Sequence, residues 1–404
     1  MRETPIAMRK HVAIIGAANA GKSSLFNAIL NQDVAIVSEQ RGTTTDPVSK
    51  TMELIPFGPI TLIDTAGIDD DGLLGQKRVE KTLSMLDRVD LCLYVTDITS
   101  FKEELHRSVI EILNRKKISH LLVFTKSCSA SNSKLQEMRQ RFPNALYADI
   151  SSKSSIESVK AAVIRELSNL EPHPENLIAG LLQKGSTVVA VIPIDSEAPK
   201  GRLIQPQVQF LRDCLNIGIQ CLVTREDGLD EALSVLKSVD LVVTDSQVFQ
   251  YVSERLPKDI HLTSFSILMS RLKGDFDTWV EGIKGVDLLC NGDIVLIAEG
   301  CTHNTSHEDI GHVKIPRLLQ QKTGKKLNFE FVSGYDFPRD LSKYSLIVHC
   351  GGCMLNSREV ESRMEKCRLS GKHITNYGVL MSYASGILDR CVDLFKTKNR
   401  SVDL

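Results

Sequence analysis

The sequence predicts an α/β protein, with an N-terminal doubly wound parallel sheet followed by two smaller α/β domains. Short apolar runs alternate with helical stretches in the first part of the chain, which is typical of strand–helix–strand units. A glycine-rich loop joins the first apolar run to the first helical stretch. A segment with two prolines, beginning at Glu171, interrupts this alternation, which then starts again.

The apolar runs place the strands, and the interruptions between them place the domains. In the first domain the runs begin at His11, Ile60, Leu91, His120 and Ala145, with helices expected over 22–30 and 101–115. Later runs begin at Ser186, Ile219, Leu241, Asp293, Asn328, Tyr344 and His373, with a helix near 230–237. With a second boundary near Gly274, the expected domains are 1–172, 173–273 and 274–404.

Composition limits the class of protein. The 404 residues include 49 basic and 50 acidic side chains, so no nucleic-acid or membrane partner is expected. No apolar run approaches a membrane span, and the N-terminus lacks a secretory pattern, so we expect a cytoplasmic protein. Ten cysteines in such a protein are not expected to form a disulfide framework, and a cluster among them indicates metal or redox chemistry.

Residues 16–23 match the phosphate-binding loop GxxxxGK[ST] and lie between a strand and a helix. The glycines let backbone N–H groups face the phosphates, and the helix N-terminus adds its positive end. Lys22 is expected to reach the β- and γ-phosphates, and the Ser23 hydroxyl to bind Mg²⁺. The expected nucleotide contacts in this segment are Gly16, Asn19, Ala20, Gly21, Lys22, Ser23 and Ser24.

Two further segments complete the predicted Mg²⁺–triphosphate site. Asp64 ends an apolar strand at the motif DTAG, where its carboxylate can hold Mg²⁺ and the Gly67 amide can meet the γ-phosphate. The sequence RGTTTD over 41–46 stands in the place of a switch loop. Together these motifs resemble the TrmE–Era class of GTPases, whose switch loop has the sequence GTTRD. The resemblance implies Thr44 as a Mg²⁺ ligand, with Thr43 and Thr45 as neighbours for which a turn-forming role is the alternative.

The residues around the phosphates indicate how hydrolysis proceeds. Ile68 follows DTAG where Ras-type enzymes carry a glutamine that positions water, so catalysis must come from elsewhere. Some members of the TrmE–Era class carry an asparagine at the position of Asn19 and use it to hold K⁺ beside the phosphates. The alternative is that Asn19 only forms the turn. We therefore expect slow hydrolysis that K⁺ accelerates.

The base-recognition motif departs from the class. The class recognises guanine with NKxD, whereas residues 125–128 are TKSC, and the Cys128 thiol does not replace a bidentate carboxylate. The residues expected to border the base are Thr125, Lys126, Ser151, Ser152 and Lys153. The resemblance implies GTP and GDP as the nucleotides, with weakened selection for guanine.

A second constellation of residues lies near the C-terminus. CTH over 301–303 and HCGGC over 349–353 each follow an apolar strand. Because carboxyl ends of parallel strands meet at one edge of a sheet, Cys301, Cys350 and Cys353 are expected to converge, with His303 and His349 nearby. By spacing alone an iron–sulfur cluster and a zinc site are equally compatible, and an inert buried pair is the third possibility.

The motifs CTHN, DIGHVKIPRLL, HCGGCMLNSREV and HITNYGVLMSYASGILDR follow the GTPase motifs, and together they resemble the FeFe-hydrogenase maturation GTPases over essentially the whole chain. The resemblance implies a GTPase domain, a dimerisation domain and a domain with a 4Fe–4S cluster on Cys301, Cys350 and Cys353. His303 and His349 are then candidates for an exchangeable fourth ligand or for hydrogen bonding to the cluster. The implied homodimer receives a di-iron precursor built with radical-SAM maturation enzymes and delivers it to apo FeFe-hydrogenase.

Two other classes compete with this interpretation. An RNA-associated GTPase, acting on the ribosome or in tRNA modification, would pair its GTPase with a zinc-stabilised domain. Aromatic residues are only 5% of the chain and none stands in a cluster with Lys or Arg, which disfavours that class. The second competing class is an interaction module whose nucleotide site has decayed, and the replacement of NKxD by TKSC keeps this class open. Cys92, Cys221 and Cys290 lie in apolar patterns and are expected to be core residues.

Overall fold

The structure is a computed structural model that describes residues 5–30, 39–40, 47–69, 73–170, 176–194, 203–300 and 310–396. The chain divides into two compact units, Met1–Glu171 and Pro172–Leu404. Among the described helices, none has the length and apolarity needed to cross a membrane.

The first unit is built on one seven-stranded sheet. Its strands are β1 (Lys10–Gly16), β2 (Glu39–Gln40), β3 (Val48–Leu54), β4 (Gly58–Asp64), β5 (Leu91–Asp97), β6 (Ser119–Thr125) and β7 (Leu146–Tyr147). Its helices are α1 (Lys22–Leu30), α2 (Leu73–Met85), α3 (Glu103–Arg115), α4 (Asn132–Arg141) and α5 (Lys153–Asn169). The order is β2-β3-β4-β1-β5-β6-β7, parallel from β4 to β7 and antiparallel at β2 and β3. The predicted parallel sheet is confirmed, with an antiparallel edge that was not predicted.

Alternation along the central strands separates the core into two faces. Val12 and Ile14 of β1 belong to the apolar cluster that includes α1 and α5. Ala13 and Ile15 belong to the cluster that includes α3, on the other face. Every residue of β5 is buried, as expected for a strand covered on both faces, and this explains why these strands are continuous apolar runs.

The second unit holds two four-stranded parallel sheets. The elements of its first half are β8 (Thr187–Val191), α6 (Gln205–Ile217), β9 (Gln220–Thr224), α7 (Leu229–Val235), β10 (Leu241–Thr244), α8 (Phe249–Arg255), β11 (His261–Ser264) and α9 (Phe265–Lys273). The elements of its second half are α10 (Phe276–Glu281), α11 (Lys284–Leu288), β12 (Ile294–Glu299), α12 (Ile315–Thr323), β13 (Asn328–Ser333), β14 (Tyr344–His349), α13 (Ser357–Leu369), β15 (His373–Asn376), α14 (Tyr377–Ala384) and α15 (Leu388–Lys396). The strand orders are β11-β10-β8-β9 and β13-β12-β14-β15. The expected boundary at Gly274 falls between α9 and α10.

Three cysteines test the expectation of core positions. Cys92 is buried in β5, as expected, and Cys221 is half-buried in β9. Cys290 is exposed between α11 and β12, so its assignment to a core strand was wrong. The apolar letters around Cys290 belong to the end of one helix and the start of a strand rather than to a single strand.

Candidate functional site

The phosphate loop leaves β1 and enters α1 through a tight turn. A Cβ on Gly16, whose φ is 155°, would lie 2.0 Å from the carbonyl oxygen of Val95 on β5, so only glycine fits there. Asn19 also has a positive φ, 58°, and Gly21 one of 89°. Lys22 is buried and its Nζ donates to the carbonyl oxygen of Ala17 at 2.7 Å. The loop thus has the backbone turn that phosphate binding by successive amides requires.

The predicted Mg²⁺ ligands meet at the end of β4. The Ser23 hydroxyl donates to Asp64 Oδ2 at 2.6 Å, and among the described residues the buried Oδ1 has no hydrogen-bond partner. Burial raises the pKa of Asp64, and the Ser23 hydroxyl and the Lys22 charge offset part of this effect. An unpaired, buried carboxylate oxygen beside a hydroxyl ligand fits a Mg²⁺ ion and its water. Thr43 and Thr44 lie outside the described residues.

Gly67 and Asp69 bring the segment after DTAG against the loop. A Cβ on Gly67 would lie 2.9 Å from the Ala18 amide nitrogen, and that amide donates to Asp69 Oδ1 at 2.6 Å. Lys102 is 3.4 Å from the other Asp69 oxygen. Partial burial raises the pKa of Asp69, but the Ala18 amide and Lys102 lower it more, so the net value lies below the ordinary one. The Ile68 side chain packs instead against the core under α3.

The TKSC segment, residues 125–128, is hydrogen-bonded to the phosphate loop. The Thr125 hydroxyl is buried and donates to the carbonyl oxygen of Ala20 at 2.6 Å. Lys126 donates to Asp97 at 2.7 Å and to the Asn19 carbonyl oxygen at 3.3 Å. These contacts hold the TKSC segment beside the phosphate loop, as nucleotide binding requires.

The other residues expected at the base lie at strand ends and at a helix start. Cys128 is exposed in a single helical turn, Ser127–Ser129. The Ser151 amide donates to Asp149 Oδ1 at 3.0 Å, and the Ser152 hydroxyl caps α5. Lys153 is the exposed first residue of α5. The Cys128 Sγ lies 3.9 Å from the Ser129 hydroxyl, and a thiol is a weak acceptor that does not offer the two oxygens of a carboxylate.

The cysteine turn follows β14, the parallel neighbour of β12. His349 is level with Ala298, and the Cys350 amide donates to the Ala298 carbonyl oxygen at 2.9 Å. Backbone amides of Gly300 and Gly352 donate to Cys350 Sγ at 3.0 and 3.3 Å. Burial raises the pKa of the Cys350 thiol to about 12, and the two amides offset only part of this effect. N–H donors on a buried sulfur are what a metal-bound thiolate needs, so this turn fits an iron–sulfur or zinc site.

Of the other predicted ligands, the structure describes Cys353 but not Cys301 or His303. Cys353 is half-buried in the same turn, three residues after Cys350. Cys301 and His303 lie outside the described residues, although Gly300, directly before Cys301, touches Cys350. Among the described residues, no three His, Cys, Asp or Glu side chains converge as a metal site.

His349 lies under the turn and is wholly buried. Its Nδ1 is 2.7 Å from the Cys350 carbonyl oxygen and its Nε2 is 3.1 Å from Arg363 Nη1. Burial, and then the Arg363 charge, lower the pKa of His349 to about 3, so the imidazole is neutral. The Trp279 ring lies 5.8 Å from the His349 ring, between centroids. Trp279 is the only tryptophan of the chain and therefore a built-in reporter for this turn.

Comparison with known families decides the identity. Residues 177–274 match the hydrogen maturase F dimerization domain, and residues 277–394 match the hydrogen maturase F tetramerization domain. The chain belongs to the hydrogen maturase F family. Residues 11–126 match a third model, described as a 50S ribosome-binding GTPase. In this hydrogen maturase F chain the GTPase domain thus lies in the first compact unit, and the cysteine turn lies in the segment named for tetramerization.

Individual relatives match the chain over part of its length. The tRNA modification GTPase MnmE of Mesoplasma florum is 36% identical over 136 residues, 33% of this chain and 29% of that protein. The GTPase Der of Kosmotoga olearia is 35% identical over 141 residues, 34% of this chain and 32% of that protein. The chain therefore spans about a third of the length of these curated relatives.

Solved structures resemble the chain at low identity. Era of Aquifex aeolicus bound to GDP and AlF₄⁻ is 18% identical, with a TM-score of 0.33, over 60% of this chain and 97% of that one. The G domain of the T. maritima FeoB iron transporter is 22% identical, with a TM-score of 0.31, over 39% of this chain and 99% of that one.

Sequence reasoning missed three charged residues at these sites of the hydrogen maturase F chain. Asp97 ends β5 level with Thr125 on β6, and a carboxylate at that strand end was an available signal. Asp69 stands two residues after DTAG and was equally visible. Arg363 lies in the charge-rich helix α13, which has the pattern of a solvated surface helix, and only the fold shows that it is buried.

Proposed function

We propose that the chain is a GTP-hydrolysing cytoplasmic scaffold. In this proposal it holds a 4Fe–4S cluster and a di-iron precursor, which it receives with the help of radical-SAM maturation enzymes. It then delivers the di-iron subcluster to apo FeFe-hydrogenase. The observation that carries the proposal is the cysteine turn of this hydrogen maturase F chain. The turn has the sequence CxxC and follows β14, the parallel neighbour of β12, and two backbone amides donate to the sulfur of its first cysteine.

Cys301, Cys350 and Cys353 are the cluster ligands in this proposal. Iron bound there would supply redox chemistry and one exchangeable coordination position for cargo. The chain contributes the half-buried turn, whose amides stabilise negative charge on sulfur. The family matches to three successive segments support the division 1–172, 173–273 and 274–404.

The test of the cluster is anaerobic reconstitution of the full chain with iron and sulfide. We expect a brown protein with a 4Fe–4S electron paramagnetic resonance (EPR) signal after reduction, and quenching of Trp279 fluorescence. Cys350→Ala and Cys353→Ala should abolish the signal, whereas Cys290→Ala, at an exposed cysteine, should keep it. An unchanged signal in both turn variants would show that the cluster assignment is wrong.

The first unit binds GTP or GDP with Mg²⁺ in this proposal. Lys22 and the loop amides hold the phosphates, and Ser23, Asp64 and Thr44 hold Mg²⁺. The backbone of Asn19 is left-handed and its side chain is exposed, which supports a K⁺ ligand in the role of an arginine finger. Hydrolysis should be faster in K⁺ than in Na⁺ at equal ionic strength, and equal rates would remove K⁺ from the proposal.

We also propose a homodimer formed by the second unit. Residues 177–274 match the dimerization domain, and they include β9, an edge strand that among the described residues pairs only with β8. Val223 on β9 is 49% exposed and Leu215 on the adjoining α6 is 73% exposed. An unpaired edge flanked by exposed apolar side chains is a surface suited to a second copy of the same strand.

A second candidate function is that of an RNA-associated GTPase, acting on the ribosome or in tRNA modification, with zinc at the cysteine turn. The match to a 50S ribosome-binding GTPase model and the similarity to the tRNA modification GTPase MnmE favour it. The structure also places arginines beside aromatic rings, Arg141 at 5.2 Å from Phe142 and Arg139 at 5.3 Å from Tyr147, which the sequence interpretation did not expect. RNA binding that weakens steeply between 50 and 200 mM salt would favour this function. Zinc retained in preference to an iron–sulfur cluster would favour it further.

A further inference from the structure

Arg363 is a wholly buried cation under the cysteine turn, and its three nitrogens contact three elements. Nε donates to the Glu359 carboxylate at 2.9 Å within α13, and Nη2 donates to the Gly334 carbonyl oxygen at 2.6 Å. Nη1 faces His349 Nε2 at 3.1 Å. The guanidinium carbon lies 5.1 Å from the centroid of the Phe337 ring. A buried guanidinium whose three nitrogens all have partners is fixed in place by the fold.

These contacts determine which nitrogen of His349 carries the proton. A guanidinium only donates hydrogen bonds, so His349 Nε2 must accept and the ring proton must sit on Nδ1. Nδ1–H then donates to the Cys350 carbonyl oxygen at 2.7 Å. Both ring nitrogens are thus engaged, and the lone pair that would bind iron points at a cation.

We propose that Arg363 is a positioning residue for the cysteine turn, and that His349, which it orients, is not an iron ligand. The inference rests on the proposed cluster. The fourth iron position is then left to a ligand other than His349.

The positioning passes through the backbone of Cys350. Once His349 holds the Cys350 carbonyl oxygen, the chain turns at Gly351 and Gly352, the latter with a φ of 66°. That turn brings the Gly352 amide to Cys350 Sγ at 3.3 Å. Arg363 therefore sets the direction of the sulfur without touching it.

Iron release from reconstituted full-length protein to a chelator tests the role of Arg363. Arg363→Lys keeps a positive charge but loses the planar fork, so iron should leave about 10–100-fold faster, the effect typical of residues that orient metal ligands. Arg368→Lys is the matched control, since Arg368 lies on the same helix and pairs with Glu365 at the surface. A wild-type release rate in folded Arg363→Lys would overturn the proposal. If that variant does not fold, His349→Asn serves in its place, with the same expectation.

Nitrogen couplings in pulsed EPR of the reduced cluster test the role of His349. In His349→Asn, any nitrogen coupling from an iron-bound imidazole should keep its wild-type strength. The control is His373→Asn, at the start of β15, whereas His349 is level with the end of that strand, and it should also keep the coupling. Loss of that coupling in His349→Asn alone would overturn the proposal.

Uptake of no iron by the wild type would refute the proposed function instead. In that case the tautomer of His349, measured by ¹⁵N NMR in the apo protein, still tests the positioning. Nδ1–H supports it, and Nε2–H overturns it.

Discussion

At the residue scale, two carboxylates at the phosphate loop differ because their neighbours differ. Asp64 is raised in pKa by burial and keeps one oxygen without a hydrogen-bond partner among the described residues. Asp69 is lowered in pKa because an amide and Lys102 face it. The buried Asp64 carboxylate therefore destabilises the protein when no cation is bound. The Asp69 carboxylate, in contrast, has its partners within the protein.

Asp64→Asn should stabilise the nucleotide-free protein at neutral pH while it weakens Mg²⁺-nucleotide binding. The folded pKa of Asp64 lies above its unfolded value, so the destabilisation is full at high pH. It disappears as pH falls through the folded pKa towards the ordinary Asp value. Thermal unfolding of the apo variant and wild type should therefore differ at pH 8 and converge towards pH 4.

Mg-GTP added to the same melts supplies the second measurement. At 100 times its Kd, ligand stabilises the wild type by about 2.7 kcal/mol, and the variant should lose most of this. Asp90→Asn is a control, at a buried carboxylate of the same unit that accepts from the His11 amide near the start of β1. Equal Mg-GTP stabilisation in Asp64→Asn and wild type would contradict the assignment of Asp64 to Mg²⁺.

Base selection is a second property set by one residue. The exposed Cys128 offers no carboxylate to the N1 and N2 hydrogens of guanine, so the wild type should bind GTP and ITP with similar affinity. Cys128→Asp should raise the preference for GTP over ITP by about 10–100-fold, the worth of a hydrogen bond to a charged group. Competition against a fluorescent GTP analogue measures it. The control is Cys290→Asp, and a wild type that already prefers GTP tenfold would show that another group recognises the base.

At the scale of elements, buried strands were predictable and edges were not. The run from Leu91 to Asp97 is β5 in full, because a strand covered on both faces needs apolar residues throughout. β3, Val48–Leu54, was missed, since its pairing with β4 leaves polar residues partly exposed and its pattern resembles a loop. β11, His261–Ser264, was missed as well.

The free edge of β9 gives a prediction about assembly. The Gln220 amide donates to Ser186 and the Thr224 carbonyl accepts from Ile192, so alternate residues of β9 bond to β8. The Val223 amide then faces outwards. Val223→Pro removes that outward donor without removing a bond to β8, and should shift the protein from dimer to monomer.

Sedimentation over a range of concentrations measures the shift. Val223→Thr keeps the amide and the β-branched shape, so it should stay dimeric like the wild type. An unchanged association constant in folded Val223→Pro would mean that the second copy binds elsewhere.

At the scale of the whole molecule, the sequence pointed to both candidate sites but not to the contacts that surround them. The loop and the cysteine turn are contiguous motifs, so spacing was enough to find them. Arg363 of α13 reaches Gly334 and His349 from 29 and 14 residues away, and Asp69 reaches Ala18 from 51 residues away. Contacts of this kind depend on tertiary packing and leave no periodic signal in one sequence.

The last prediction concerns the relation between the two units. In the proposed function GTP binds in Met1–Glu171 and the cluster in Pro172–Leu404, so we expect hydrolysis to gate partner binding or release rather than cluster chemistry. Lys22→Ala should lower hydrolysis by about 10²–10³-fold, the effect of losing one donor to transition-state charge. Its 4Fe–4S EPR signal should match the wild type, while hydrogen evolution by apo-hydrogenase incubated with it should be lost. Lys134→Ala, at a surface lysine paired with Glu137, is the control that should keep all three properties. Normal activation of the hydrogenase by Lys22→Ala would show that GTP hydrolysis does not gate delivery.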